Sequence, residues 1–213
     1  MNAAPRHVLL AGATGLTGQK LLGLLLADEG VTQVLAPTRH ALPAHPKLSN
    51  PVGMVSHLIA QLHGQVDTVF CCLGTTIRQA GSREAFRMVD YDLPVSLGRH
   101  ARALGASHYL VISALGADPA SRLFYNRTKG ELELALQKQE WPRLTIVRPS
   151  LLLGARHKPR MGEVLAAPFS RFLPGRWRGI EAGTVATAMW RLAQAPGNGL
   201  RIVESDELQQ LGD

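Results

Sequence analysis

The chain has 213 residues, 46% apolar and 18% charged, with 23 Lys and Arg against 16 Asp and Glu and a formal net charge of +7. That length and apolar content suit one well-buried domain and exclude a disordered chain, and no apolar run approaches the roughly 20 residues of a membrane span. The positive excess fits nucleic acid or a polyanionic small molecule. The basic residues form no dense run and aromatics are only 5% of the chain, so the small-molecule explanation is preferred.

The first predicted strand, 7–11 (HVLLA), runs into "GATGLTG" and a predicted helix at 16–27. Strand, glycine turn and helix in this order form the phosphate end of a dinucleotide fold. Gly12 permits the tight turn, Gly15 lets backbone N–H groups approach a pyrophosphate, and Gly18 lets helix and strand pack closely. Thr14 and Leu16 complete the loop, and the helix start offers free donors and partial positive charge.

The second strand, 32–36, ends in "VLAPTRHAL". A site that prefers NAD places a carboxylate there for the ribose 2′-hydroxyl. No acid is present; Thr38 and Arg39 stand instead, and a guanidinium suits a 2′-phosphate. NADP(H) is therefore the expected cofactor. The proline- and histidine-rich stretch 37–50 reads as a loop, followed by a short strand near 51–55 and a helix at about 56–63.

A strand at 66–72 contains the adjacent Cys71 and Cys72, which read as reduced, buried thiols. Together with a start that lacks the pattern of a secretory signal, they lead to the expectation of a cytoplasmic protein. Eight scattered histidines show no ligand-like spacing, so no metal is expected.

A long helix is predicted over 82–104, a strand over 108–112 and another helix over 122–140. Ser113 ends that strand, twelve residues before Tyr125, and Tyr125 and Lys129 lie one helical turn apart. A phenol of pKa about 10 is a poor acid at neutral pH unless a nearby ammonium stabilises its anion. Lys129 supplies that charge and also counts among the cofactor contacts. Ser113 would hold a carbonyl oxygen beside the Tyr125 hydroxyl for coupled hydride and proton delivery.

A strand at 143–147 leads to "VRPS", after which the alternation breaks down. Segment 150–180 reads as a substrate-side lid. Its Arg156, His157, Lys158, Arg160, Arg171, Arg176 and Arg178 face only Glu163 in opposition. They read equally as a cationic rim for an anionic substrate or as a solvated basic surface. A helix at 181–194 and a strand in "GLRIVES" follow. Alternating strands and helices make this an α/β chain with a doubly wound parallel sheet: a single domain, 1–213, with a small C-terminal extension.

"GATGLTG", "VFCCLGTT", "SALGAD", "YNRTKGELE" and "VRPSLLLG" together resemble the atypical short-chain dehydrogenase/reductases. The subgroup is the one that includes the animal Tat-interacting metastasis-suppressor protein. The resemblance implies a Rossmann fold, NADP(H), and Ser113, Tyr125 and Lys129 in the catalytic places. It also implies Leu73 and Gly74 on the adenosine and ribose side, Pro149 and Ser150 at the nicotinamide end, and a homodimer through the two long helices. Where the family often has an asparagine supporting the lysine, Asp90 is the nearest match. The expected activity is NADP(H)-dependent reduction of a small carbonyl compound. Non-catalytic NADPH sensing and sugar-nucleotide epimerase or dehydratase chemistry are the alternatives.

Overall fold

A computed structural model describes residues 4–154 and 175–213. Seven strands form one parallel sheet: β1 (His7–Ala11), β2 (Gln33–Leu35), β3 (Leu48–Ser49), β4 (Thr68–Cys71), β5 (His108–Ile112), β6 (Arg143–Arg148) and β9 (Gly199–Glu204). Their order is β3-β2-β1-β4-β5-β6-β9, so the winding reverses direction between β1 and β4. Ligand crevices of doubly wound sheets open at such a point, beyond the carboxyl ends of the strands.

The central strands β1, β4, β5 and β6 are buried on both faces because helices cover both. Val8 and Leu10 of β1 join a cluster with α1 (Leu16–Ala27), α7 (Ala182–Gln194) and α8 (Ser205–Gly212). Leu9 and Ala11, one residue out of phase, join the opposite cluster with α2 (Val55–Gln61), α5 (Leu93–Ala103) and α6 (Phe124–Gln137). Period-two alternation along one strand thus divides the core into two layers.

Several boundaries follow the sequence pattern, β1, β5 and α1 among them. The strand expected near 51–55 is displaced: β3 is the pair Leu48–Ser49, and beyond it only an isolated bridge joins Thr38 to Val52. The helix expected over 82–104 is broken into α4 (Arg83–Arg87), a π-helical turn (Met88–Asp92) and α5. Pro94 has no N–H to continue the ladder, and Leu93 N–H donates to Met88 O, five residues back. A short α3 (Ile77–Ala80) and the terminal α8 carried no sequence signal.

Flanking the lid region, β7 (Leu152–Leu153) pairs in parallel with β8 (Ile180–Glu181). The rest of the expected lid, with Arg156, His157, Lys158, Arg160 and Arg171, lies outside the described residues. Arg176 and Arg178 are exposed, as is Trp177 beneath the Arg176 guanidinium.

Candidate dinucleotide and proton-transfer site

The glycine loop leaves β1 at the switch point. Gly12 has φ +83°, and a Cβ there would lie 2.6 Å from Cys72 O at the end of β4. A Cβ on Gly18 would lie 2.0 Å from Gly12 O, so neither position accepts a side chain. At Gly15 the nearest atom to a Cβ is Gly12 O at 3.2 Å. Protein packing therefore requires glycine at 12 and 18, whereas a Cβ on Gly15 would be tight against Gly12 O without colliding with it.

Helix α1 begins with Gly15 as N-cap, without a side-chain cap bond and without an acidic residue in its first turn. Its first N–H groups are left for an external acceptor. Thr17 Oγ1, in the same turn, is buried and has no hydrogen-bond partner among the described residues. An uncapped helix start, glycines at 12 and 15 and an orphaned hydroxyl fit a pyrophosphate. Thr14 is exposed beside this turn, and Leu16 packs under Gly154.

At the end of β2, Thr38 is buried. Its hydroxyl donates to His40 O (2.6 Å) and accepts from Asn50 Nδ2 (2.8 Å), so it is committed to the protein. Arg39 is exposed and forms no ion pair with another described residue. Beyond β4, Leu73 is half-buried and Gly74 exposed. Pro149 is buried at the end of β6, and its carbonyl accepts from Leu115 N–H (3.0 Å).

Helix α6 is seated by the loop before it. A Cβ on Gly130 would lie 2.2 Å from Pro119 N, and Asn126 Nδ2 donates to Gly116 O at 2.7 Å. That seating sets one face of α6, carrying Tyr125, Lys129 and Glu133 at successive turns. Tyr125 is 37% exposed, its ring 5.6 Å from that of Phe86. Lys129 Nζ lies 2.8 Å from Asp90 Oδ1, with both side chains buried. Burial opposes the Lys129 charge, but Asp90 and Tyr125 outweigh it, and the Lys129 pKa is raised. Asp90 Oδ2 accepts from Thr75 N–H (2.8 Å), tying the lysine to the loop after β4. The Asp90 carboxylate therefore contacts the ammonium directly.

Ser113, expected beside Tyr125, is engaged by the protein itself. Its hydroxyl is buried and donates to Glu133 Oε1 (2.5 Å). Arg148 grips both oxygens of Glu133, through Nε (2.9 Å) and Nη2 (2.6 Å), and reaches Glu204 through Nη1 (3.0 Å). A hydroxyl whose proton is given to a carboxylate cannot also donate to a substrate carbonyl. Ser150 is engaged too, donating to Arg178 O and accepting from Ser205 Oγ.

Sequence reasoning did not single out Glu133, Arg148 or Asn50; "VRPS" and "GELE" carried only a resemblance. Both cysteine thiols are pushed up in pKa by burial, which removes thiolate chemistry at neutral pH. Among the described residues no group of His, Cys, Asp and Glu is arranged to hold a metal.

A family model described as HIM1 matches residues 45–173. The chain belongs to the HIM1 family. Protein HTATIP2 of Rattus norvegicus is 32% identical over 218 residues, covering 97% of this chain and 89% of the relative. A protein of Eremothecium gossypii named FMP52, mitochondrial, is 31% identical, covering 96% of each. These relatives bear out the resemblance to the atypical short-chain dehydrogenase/reductases. In fold, the chain is similar to the Bordetella bronchiseptica enzyme WbmH, solved in complex with NAD+. The TM-score is 0.70 at 16% identity, covering 94% of this chain and 75% of that one.

The fungal relative's name overturns the expectation of a cytoplasmic protein. Reduced cysteines report a redox environment and not the compartment that holds it. Among the described residues no helix is long and apolar enough to cross a membrane.

Proposed function

We propose that this member of the HIM1 family is an NADP(H)-dependent oxidoreductase that reduces a small carbonyl compound. The observation that carries the reading is the buried Asp90–Lys129 pair beneath a half-exposed Tyr125, on a fold whose glycine loop suits a pyrophosphate. Gly12, Thr14, Gly15, Leu16 and Gly18 cradle the phosphates, with Leu73, Gly74 and Pro149 along the crevice. Arg39, with no ion-pair partner among the described residues, meets the 2′-phosphate.

A reduced nicotinamide, when bound, supplies the hydride to the carbonyl carbon. Tyr125 gives its phenolic proton to the carbonyl oxygen as charge develops there, and Lys129 stabilises the phenolate left behind. Asp90 keeps Lys129 charged and in place. Ser113 acts through Glu133 to hold the end of β5, as a positioning residue.

The test is Tyr125→Phe, assayed for NADPH oxidation against a panel of small aldehydes and ketones. Turnover falls at least about a hundredfold while NADPH affinity stays within about threefold. Loss of NADPH binding in this variant would refute the assignment. A second reading, cofactor binding without turnover, is favoured by the commitment of Ser113 to Glu133. It requires protease sensitivity to differ between the NADPH and NADP⁺ complexes.

A further inference from the structure

One side chain closes the loop that carries Arg39. Asn50, in the turn after β3, uses every hydrogen-bonding group of its amide on the exit of β2. Nδ2 donates to Ala36 O (2.6 Å) and to Thr38 Oγ1 (2.8 Å), and Oδ1 accepts from Leu42 N–H (2.8 Å). These partners fix the amide orientation, because a carbonyl can only accept and an N–H can only donate. Thr38 passes the restraint on through its hydroxyl bond to His40 O.

The backbone reinforces the clamp. Ala36 N–H donates to Ser49 O, Thr38 N–H to Pro51 O and Gly53 N–H to Thr38 O, extending the β2–β3 register past the end of both strands. Residues 39–41 are thus held at both feet, Thr38 and Leu42, by a single amide. The Arg39 guanidinium itself has no ion-pair partner among the described residues. A long, flexible cation on a tethered loop loses less conformational freedom on meeting an anion than one on a free loop.

We infer that Asn50 is a specificity-determining positioning residue: it fixes the β2 exit so that Arg39 is presented to the 2′-phosphate of NADP(H). The inference rests on the proposed reading of Arg39. It assigns the cofactor preference to a pair, one residue supplying charge and the other supplying its placement. Asn50 itself touches no ligand in this scheme, so its effect falls on the choice between two cofactors and not on dinucleotide binding in general.

The experiment is a fluorescence titration with NADPH and with NADH of the parent chain and of Arg39→Ala, Asn50→Ala, Asn50→Asp and Thr38→Val, each with its thermal midpoint. Asn50→Ala should weaken NADPH about tenfold and leave NADH within about twofold. Asn50→Asp keeps an acceptor for Leu42 N–H but loses both donors and adds a negative charge, so its NADPH preference falls further. Thr38→Val removes one arm of the clamp with little change of shape and lowers the preference by a smaller factor. It provides the reading if Asn50→Ala does not fold.

A parallel loss of NADPH and NADH affinity in the Asn50 and Thr38 variants would mean a merely structural role and overturn the inference. So would an unchanged preference in those variants while Arg39→Ala abolishes it; that outcome leaves the cofactor reading standing. An unchanged preference in Arg39→Ala would overturn the cofactor reading itself, and the role of Asn50 with it.

Discussion

Lys129 Nζ lies 2.8 Å from Asp90 Oδ1, and the two side chains are 4% and 1% exposed. The other Asp90 oxygen receives the Thr75 amide, so a single carboxylate joins helix α6 to the loop after β4. Removing one member of a buried pair leaves an uncompensated charge, whereas removing both need cost little. Asp90→Asn should therefore destabilise the chain by about 3–5 kcal/mol in urea unfolding. Lys129→Met with Asp90→Asn should recover most of that loss. A double variant as unstable as the single one would show that the pair is not the source of the cost.

Ser113 and Tyr125 separate in the same way. Ser113→Ala removes one hydrogen bond to Glu133, which keeps its two bonds from Arg148. The expected loss is about 1–2 kcal/mol of stability, with NADPH affinity unchanged and turnover within about fivefold of the parent. A hundredfold loss of turnover at unchanged stability would return Ser113 to direct contact with substrate.

The glycines give a contrast within one loop. Gly18→Ala places a methyl 2.0 Å from Gly12 O, a backbone atom that cannot step aside, and costs more than about 2 kcal/mol of stability. Gly15→Ala meets the same oxygen at 3.2 Å and is expected to fold with a loss of under about 1 kcal/mol. Its NADPH affinity should nevertheless fall at least about tenfold, because the methyl stands where the phosphates approach. Titration and thermal melts on both variants decide this.

His108 at the start of β5 is buried, with Nε2 2.9 Å from Thr145 Oγ1, and burial with the nearby Arg143 lowers its pKa to about 3. Between that value and the unfolded pKa of about 6.5, the unfolded chain binds a proton that the folded chain does not. Stability from this residue is therefore lost as pH falls through that window. The expected loss is about 2 kcal/mol between pH 6.5 and 5, absent from His108→Gln. Equal acid sensitivity in both chains would remove His108 as the cause.

The limits of sequence reading show in particular residues. Gly12, Gly15 and Gly18 were legible because their spacing follows local helix and turn geometry, and so were Tyr125 and Lys129, one turn apart. The break at 88–92 was not, because a π turn keeps the chain helical on both sides and adds only one residue. It is that turn which carries Asp90, 39 residues before its lysine in sequence. The clamp at Asn50 was hidden for a similar reason: its partners lie 8 to 14 residues back, across a strand crossing.

Local sequence sets the α/β alternation, the glycine loop, the lack of an acid in "VLAPTRHAL" and the Tyr125–Lys129 spacing, since each depends on neighbours within a turn or a strand. Tertiary structure alone decided the partners of buried polar groups. Ser113 just past β5, Glu133 of α6, Arg148 of β6 and Glu204 of β9 meet only when the sheet is assembled. A buried hydroxyl or carboxylate must find a complement wherever the fold brings one within reach. That requirement gives the Ser113 hydroxyl its partner in Glu133, a contact that no local spacing announces.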